Sequence, residues 1–538
     1  MYIVTAEQMV TAEQNTNNAG ISYNDMMENA GYSLAEAIIE QFEAVGQKIT
    51  ILIGPGNNGG DGLVTARYLS HFGTHVQLYI WKRKNLQDDP NWKRLHNINV
   101  EIHFHDKDPN YEQLTKILEN SSIVVDALLG TGASRPIRGS LARMLTHAQQ
   151  IITERRTDLY TPLTDPIDPP AVKELGPAVV AVDLPSGLNS NTGEVDPYTI
   201  PADMTVTFAA PKMGFIKLPG AAYIGHLLIA DINIIPEYFP PNLPVLATAS
   251  QVSDMLPERP IDGHKGTFGK IMIVSGSINY IGAPCLSALA ALRIGAGLVA
   301  LAVPQTIRHT VATKVTEATY LSIHDQDGAI APPAVEIIAQ DMTERSAMLI
   351  GPGIGQNRVT AEFLISLFKS EKDNLPPLVI DADALNILAT QPNWWLLLPK
   401  NCILTPHHGE MSRLTGMSIA ELQTNRLEVT AEMAQKWGQI VLFKGAFTVI
   451  ANPHGKITVM PFANPALATA GSGDVLAGAI VGLLGQKMKP YQAAIVGAYL
   501  HGLAGEIARE QFWDAGVIAG DLLPLLPVAY KEVAESLG

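Results

Sequence analysis

Short, unbroken apolar runs rich in β-branched residues alternate along the whole chain with longer Ala- and Leu-rich runs. In the first half the apolar runs are ITILIG (49–54), HVQLYIW (75–81), VEIHFH (100–105), IVVDALLG (123–130), AVVAVDLP (178–185) and MTVTFAA (204–210). In the second they are KIMIVSG (270–276), GLVALAV (297–303), AMLIGPG (347–353), PLVIDADAL (377–385), NCILTP (401–406) and IVLFKG (440–445). A strand that is apolar on both faces must be covered on both, which predicts α/β architecture with parallel sheets between helical layers. Ligands in such sheets bind beyond the carboxyl ends of the strands, so the residues just after each run are those to inspect.

The length, 538 residues, exceeds what one core holds. The stretch 236–250, PEYFPPNLPVLATAS, has four prolines and no helical period. It divides the chain into a domain over 1–238, a linker at 239–250 and a domain over 251–538. A second polar, Pro-rich stretch, about 151–177, reads as a surface insertion. The formal charge of −15 argues against a nucleic-acid binder, and 47% hydrophobic against 17% charged residues argues against a disordered chain. Two cysteines, Cys285 and Cys402, with no Cys/His cluster, exclude a disulfide scaffold or a structural zinc site, and both read as buried and inert. The first residues lack the basic and apolar regions of a secretory signal. The apolar stretch 284–304 is interrupted by Arg293 and reads as a buried helix followed by a strand, not a membrane span. The expectation is therefore a cytoplasmic protein away from membranes; assembly as a homo-oligomer is a further expectation that these features do not decide.

After the run 49–53 come Gly54, Pro55, Gly56, Asn57, Asn58, Gly59, Gly60, Asp61 and Gly62, then a helical segment. Glycines at a strand-to-helix turn expose N–H groups beside a helix N-terminus, which suits a phosphate or pyrophosphate. A second such loop follows Asp126 and contains Gly130, Thr131, Gly132, Ala133, Ser134, Arg135 and Pro136. A third begins at Asp183 and includes Ser186. Asn58, Asp126 and Ser186 offer only oxygen ligands, which suit a hard cation, K⁺, Na⁺ or Mg²⁺. Lys212, after the last run, reads equally as a phosphate contact or a surface lysine. The basic stretch 81–95, WKRKNLQDDPNWKRL, reads as a solvated helix and turn, and Trp394–Trp395 as packing.

In the second half the loops after the runs carry Gly353, Asp381, His407 and His408, and the five residues Lys444, Gly445, Ala446, Phe447 and Thr448. Gly471, Ser472, Gly473 and Asp474 open the helical segment VLAGAIVGLL. N–H groups at such a helix start make an anion hole for a transferring phosphoryl group. Asp474 beside it is placed to take the proton of an attacking hydroxyl, and Lys444 to contact a phosphate.

GPGNNGGDG, DALLGTG, VAVDLPSGLN and TFAAPKMG, in this order, resemble the NAD(P)H-hydrate epimerase family over about residues 5–235. The resemblance implies a Rossmann-like three-layer αβα domain that interconverts the R and S forms of NADH and NADPH hydrated at C6 of the nicotinamide. It implies K⁺ at Asn58, Asp126 and Ser186. It implies hydrate binding at Asn57, Asn58, Gly59, Gly60 and Asp61, at the loop from Gly130 to Pro136, and at Asp183, which by position is the candidate acid/base. HKGTFG, GPGIG, DADALN, TPHHGEMSRL, FKGAFT and AGSGD resemble the ADP-dependent NAD(P)H-hydrate dehydratase family, with a ribokinase-like αβα fold, over about 250–535. That resemblance implies Mg²⁺, ADP held at Lys444, Gly445, Ala446, Phe447, Thr448 and Gly473, and hydrate met by Ala283, Gly353, His407 and Asp474. His408 stands where the family has proline, which predicts a less rigid turn. Two rival readings are a ribokinase-like small-molecule kinase with an N-terminal nucleotide-binding regulatory domain, and a non-enzymatic binding protein.

Overall fold

The structure is a computed structural model that describes residues 1–84, 86–95, 98–133, 135–157 and 176–536. Most of the 151–177 stretch, and Ser134, lie outside the described residues. The chain forms two compact units, Tyr2–Leu243 and Pro244–Gly538.

The first unit is built on seven parallel strands: β1 Lys48–Ile53, β2 His75–Ile80, β3 Glu101–Phe104, β4 Ile123–Ala127, β5 Ala178–Val182, β6 Met204–Phe208 and β7 His226–Ala230. Their spatial order is β3-β2-β1-β4-β5-β6-β7. Ile49, Ile51 and Ile53 of β1 pack with Leu34, Ile38, Leu63 and Ala66 from the helices Tyr23–Phe42 and Asn57–His71. Leu52 points the other way, into a cluster with Leu118, Met144 and Leu145 from Glu112–Asn120 and Ser140–Thr157. Each buried Ile or Leu contributes about 1.5–3 kcal/mol, so period-2 alternation on a strand buried on both faces ties the sheet to both helical layers. The strand order reverses between β1 and β4, which opens a crevice at their carboxyl ends.

The second unit carries a ten-stranded sheet. Its strands are β8 Val245–Leu246, β9 Lys270–Val274, β10 Leu298–Pro304, β11 Thr319–Ile323, β14 Ala347–Ile350, β15 Leu378–Ile380, β16 Ile403–Leu404, β17 Ile440–Phe443, β18 Val449–Ala451 and β19 Ile457–Val459, with a separate hairpin of β12 Asp325–Gln326 and β13 Ala329–Ile330. The order is β11-β10-β9-β14-β15-β16-β17-β18-β19-β8, parallel as far as β17 and antiparallel at β17–β18 and β18–β19. Ile271 and Ile273 of β9 face a cluster with Ala288, Val475 and Leu500; Met272 and Val274 face Phe363, Leu364 and Met433. The Ala- and Gly-rich stretch at 284–304 is the helix Gly282–Arg293 followed by β10. A Cβ at Gly478 would stand 2.3 Å from Ser287 O, so small residues let the helix Ser472–Gly485 lie directly on Gly282–Arg293. The change of unit falls inside 239–250, and the end of that stretch belongs to the second unit: β8 pairs with β19, and Thr248 caps the helix Ala249–Ser253. Among the described residues no helix is long and apolar enough to cross a membrane.

Candidate active sites in the two units

Three residues separate β1 from the helix Asn57–His71, whose N-cap, Gly56, has no side chain to occupy the first N–H groups. A Cβ on Gly54 would stand 1.8 Å from Leu128 O, so the loops after β1 and β4 touch backbone to backbone. Arg83 holds this turn: its Nη1 donates to Gly54 O (3.0 Å) and Gly56 O (2.8 Å), while Asp89 accepts from its Nε at 2.9 Å. The reading of 81–95 as a solvated segment is therefore corrected at Arg83, whose side chain is 12% exposed, and at the buried Trp92. Both are drawn inward by partners distant in sequence.

Asn58, Asp126 and Ser186 come together behind this turn. Ser186 donates from Oγ to Asp126 Oδ1 (2.6 Å) and from its backbone N to Oδ2 (2.8 Å), and Leu128 N donates to Oδ1 at 3.2 Å. Burial pushes the Asp126 carboxyl up, against the pull of these hydrogen bonds. Asn58 Nδ2 donates to the carbonyls of Leu129 (2.9 Å) and Val182 (3.0 Å). The set holds one carboxylate among neutral oxygens, a composition suited to a hard cation of low charge.

A cavity of about 440 Å³ opens beside it, lined among others by Glu13, Asn57, Asp61, Asp183, Phe208 and Lys212. Lys212 is 1% exposed and donates to Asp183 Oδ1 (2.6 Å), Thr207 Oγ1 (2.8 Å) and Phe208 O (3.2 Å). It is neither a surface lysine nor free to meet a phosphate, because its charge is taken by a buried carboxylate. Asp183 has a φ of 63°, and its Oδ1 also accepts from Thr207 Oγ1 (2.8 Å) and Phe208 N (3.4 Å). Asp61 is 8% exposed, and burial, with Asp183 and Glu13 adding to it, raises its carboxyl well above the usual range. Burial also raises Glu13, which Lys212 opposes. Gly130 packs at Asn58, where a Cβ would stand 3.3 Å from Oδ1; Thr131 is half-buried, and Gly132, Ala133, Arg135 and Pro136 are exposed.

In the second unit, Asp474 lies in the first turn of Ser472–Gly485, whose N-cap Gly471 has a φ of 89°. Lys444, at the end of β17, reaches this helix start: a Cβ on Gly473 would stand 3.5 Å from Lys444 Nζ. The same Nζ donates to Asp381 Oδ1 at 2.8 Å and lies 3.9 Å from Glu410 Oε2. Burial pushes Asp474 up to about 7, helped by Asp381 and opposed by Lys444. Burial also raises Glu410. For Lys444, burial acts downward but Asp381 and Glu410 outweigh it, so its charge is held. His407 caps the helix His408–Thr415: its Nδ1 accepts from Gly409 N at 2.9 Å, and its own N donates to Glu410 Oε2 at 2.8 Å. This double cap gives the turn hydrogen bonds that do not involve the side chain of His408. His408 packs on Phe443 with ring centroids 5.0 Å apart and borders Gly445. Arg426 donates to Ala446 O and Phe443 O, fixing the loop that also holds Phe447, at a φ of 53°, and Thr448. Gly353 and Ala283 adjoin, a Cβ on the former standing 2.9 Å from that of the latter. Among the described residues no group of three or more His, Cys, Asp or Glu side chains is placed to hold a metal ion. A divalent cation here would be held mainly by nucleotide phosphates.

Residues 271–527 match the family model described as NAD(P)H-hydrate dehydratase, and residues 23–214 the one described as YjeF-related protein N-terminus. The chain is 36% identical over 553 aligned positions to a bifunctional NAD(P)H-hydrate repair enzyme of Moorella thermoacetica, covering 100% of this chain and 98% of that protein. The chain belongs to the bifunctional NAD(P)H-hydrate repair enzymes. The repair enzyme of Escherichia coli is 32% identical, with 88% of this chain and 84% of that one covered. An ADP/ATP-dependent NAD(P)H-hydrate dehydratase of Bacillus subtilis, co-crystallised with ATP and Mg²⁺, is 32% identical, with a TM-score of 0.47, and covers 55% of this chain and 100% of that one. In this repair enzyme the motif-based reading missed Glu13, Arg83 and Glu410. Glu13 sits on the helix Ala6–Asn18, outside every glycine-rich loop, and Arg83 lies in a stretch whose basic composition hid its role. Glu410 carried a signal, since it stands three residues after its capping partner, His407.

Proposed function

We propose that this chain restores hydrated NADH and NADPH in two steps. The unit Tyr2–Leu243 interconverts the R and S hydrates, and the unit Pro244–Gly538 dehydrates the S form while ADP becomes AMP and phosphate. Asp474 carries the reading of the second unit. It is a carboxyl held near neutral pKa in the first turn of a GSGD helix, with Lys444 Nζ beside Gly473. Asp474 takes the proton of the C6 hydroxyl, whose oxygen then attacks the β-phosphorus of ADP. Lys444, the loop from Gly445 to Thr448 and the N–H groups at Gly473 hold the phosphates. Ala283, Gly353 and His407 orient the hydrate. Loss of phosphate from C6, with a proton from C5, restores the ring double bond. Mg²⁺ bound with the nucleotide would neutralise phosphate charge.

In the first unit, Asn57, Asn58, Gly59, Gly60, Asp61 and the loop from Gly130 to Pro136 receive the hydrate, and Asp183 moves a proton at C6. Asn58, Asp126 and Ser186 would hold K⁺, which would supply positive charge to the site. The alternative, a ribokinase-like small-molecule kinase with an N-terminal regulatory domain, gives way because relatedness to repair enzymes runs across both units. The test supplies mixed R- and S-NADPH hydrate with ADP and Mg²⁺ and follows the NADPH absorbance band. Full recovery of both epimers is expected. Recovery of neither would overturn the repair reading.

A further inference from the structure

Asp61 is buried to 92% of its surface, counted from 8% exposure, and lines the cavity that also holds Asp183 and Lys212. Among the described residues its carboxyl oxygens have no hydrogen-bond partner, although Asp183 in the same cavity has three donors on Oδ1. The Asp61 oxygens open on the cavity rather than being sealed in, but a carboxylate held this far from water with no donor is disfavoured relative to the neutral acid. The charged and titratable groups facing it are Asp183, Glu13, Arg83 and Lys212, and burial with the two acids prevails over the two bases. Asp183 differs in kind, because Lys212 Nζ donates to its Oδ1 at 2.6 Å while, among the described residues, its Oδ2 accepts no hydrogen bond. The two carboxyls also come from different elements: Asp61 from the helix Asn57–His71, Asp183 from the end of β5.

We propose that Asp61 is the general acid of hydrate epimerisation and that it works against Asp183 as the base, a proposal that rests on the epimerase reading of the first unit. The C6 hydroxyl of the hydrate is attached next to ring nitrogen N1. Asp61 gives its proton to that hydroxyl, the C6–O bond breaks, and water leaves as the N1 lone pair forms an N1=C6 double bond. A water molecule then adds to the other face of C6, and Asp183 Oδ2 takes its proton. Asp61 ends as the carboxylate and Asp183 as the acid. The reverse reaction uses them in exchanged roles, and proton exchange through the cavity mouth resets the pair.

The experiment uses the full chain with purified R-NADPH hydrate, without nucleotide, and follows appearance of the S form by chromatography. Asp61→Asn is expected to lower kcat for epimerisation about 100-fold or more, within the range of a lost general acid, with KM little changed. Asp61→Glu, which keeps an ionisable carboxyl, is expected to recover at least tenfold over the Asn variant. Dehydration of purified S hydrate with ADP and Mg²⁺ should be unchanged in both and reports an intact chain. An Asp61→Asn enzyme that epimerises at the unaltered rate, or loses only KM, overturns the acid role. So does an Asp61→Glu enzyme no better than the Asn variant while circular dichroism shows both folded. If the unaltered chain itself leaves the R form at its spontaneous rate, the epimerase reading has failed instead.

Discussion

Lys212 shows how much a single residue decides here. Its ammonium is 1% exposed and rests on Asp183, Thr207 and Phe208. Removing one member of a buried ion pair leaves the other charge uncompensated, at a cost of about 3–5 kcal/mol. Lys212→Met should therefore lower the unfolding free energy of the first unit by that order in a urea titration and abolish epimerisation. At Asp474 the deciding quantity is proton affinity. Its pKa is pushed up to about 7, and a base acts only when deprotonated, so kcat/KM for S-hydrate dehydration should fall as pH drops below about 7. A pH–rate profile checks this, and Asp474→Asn should lose about 10²–10⁴-fold in kcat across the range. A flat profile in the unaltered enzyme would remove Asp474 from the role of base.

At the scale of the element, both sites use a helix N-terminus opened by glycines, directly after β1 in the first unit and at Gly471–Gly473 in the second. For Asn57–His71 the device depends on the absence of a side chain: a Cβ on Gly59 would stand 2.1 Å from Gly54 O. That contact is backbone against backbone and cannot be relieved by a rotamer change. Gly59→Ala should cost about 1–3 kcal/mol as overpacking and displace the turn, so that epimerisation fails while dehydration of the S form continues. The helix His408–Thr415 poses the opposite case. His408 is its first residue, a position where proline is well tolerated, and His407 with Glu410 caps it independently. His408→Pro should keep the helix but remove the ring packed on Phe443 beside Gly445. The expected result is a several-fold rise in the KM for ADP with an unchanged circular-dichroism spectrum. An unaltered KM would show that the ring has no part in holding the nucleotide loop.

At the scale of the whole molecule, two units with separate cores predict two unfolding events. A ligand stabilises only the state that binds it, by about 2.7 kcal/mol at one hundred times its Kd. ADP with Mg²⁺ should thus raise one calorimetric transition and leave the other in place. A shift of both transitions together would mean that the units unfold as one. The net charge of −15 also finds its place at this scale. In the proposed reading, helix N-termini, backbone N–H groups and Lys444 receive the phosphates, so the acidic surface should not oppose binding.

Apolar runs buried on both faces were readable along the chain because such a strand allows few other placements, and the parallel part of both sheets follows from them. The glycine-rich turns were readable for the same reason, since their residue types serve backbone geometry that acts locally. The strands β8, β18 and β19 were not, because segments of two or three residues have no period of their own and are defined by the neighbour they pair with. Arg83 and Glu13 were illegible in the same way, as was the partner that Lys212, read as a phosphate contact or a surface lysine, finds in Asp183. A lysine, an arginine and a glutamate look like surface residues until the fold brings Asp183, the carbonyl of Gly54 and the cavity to them. Local sequence determined where glycine-rich turns expose backbone at a helix start. Tertiary structure decided which charges lose water and which find a partner, because burial and Coulomb interaction depend on neighbours tens to hundreds of residues away.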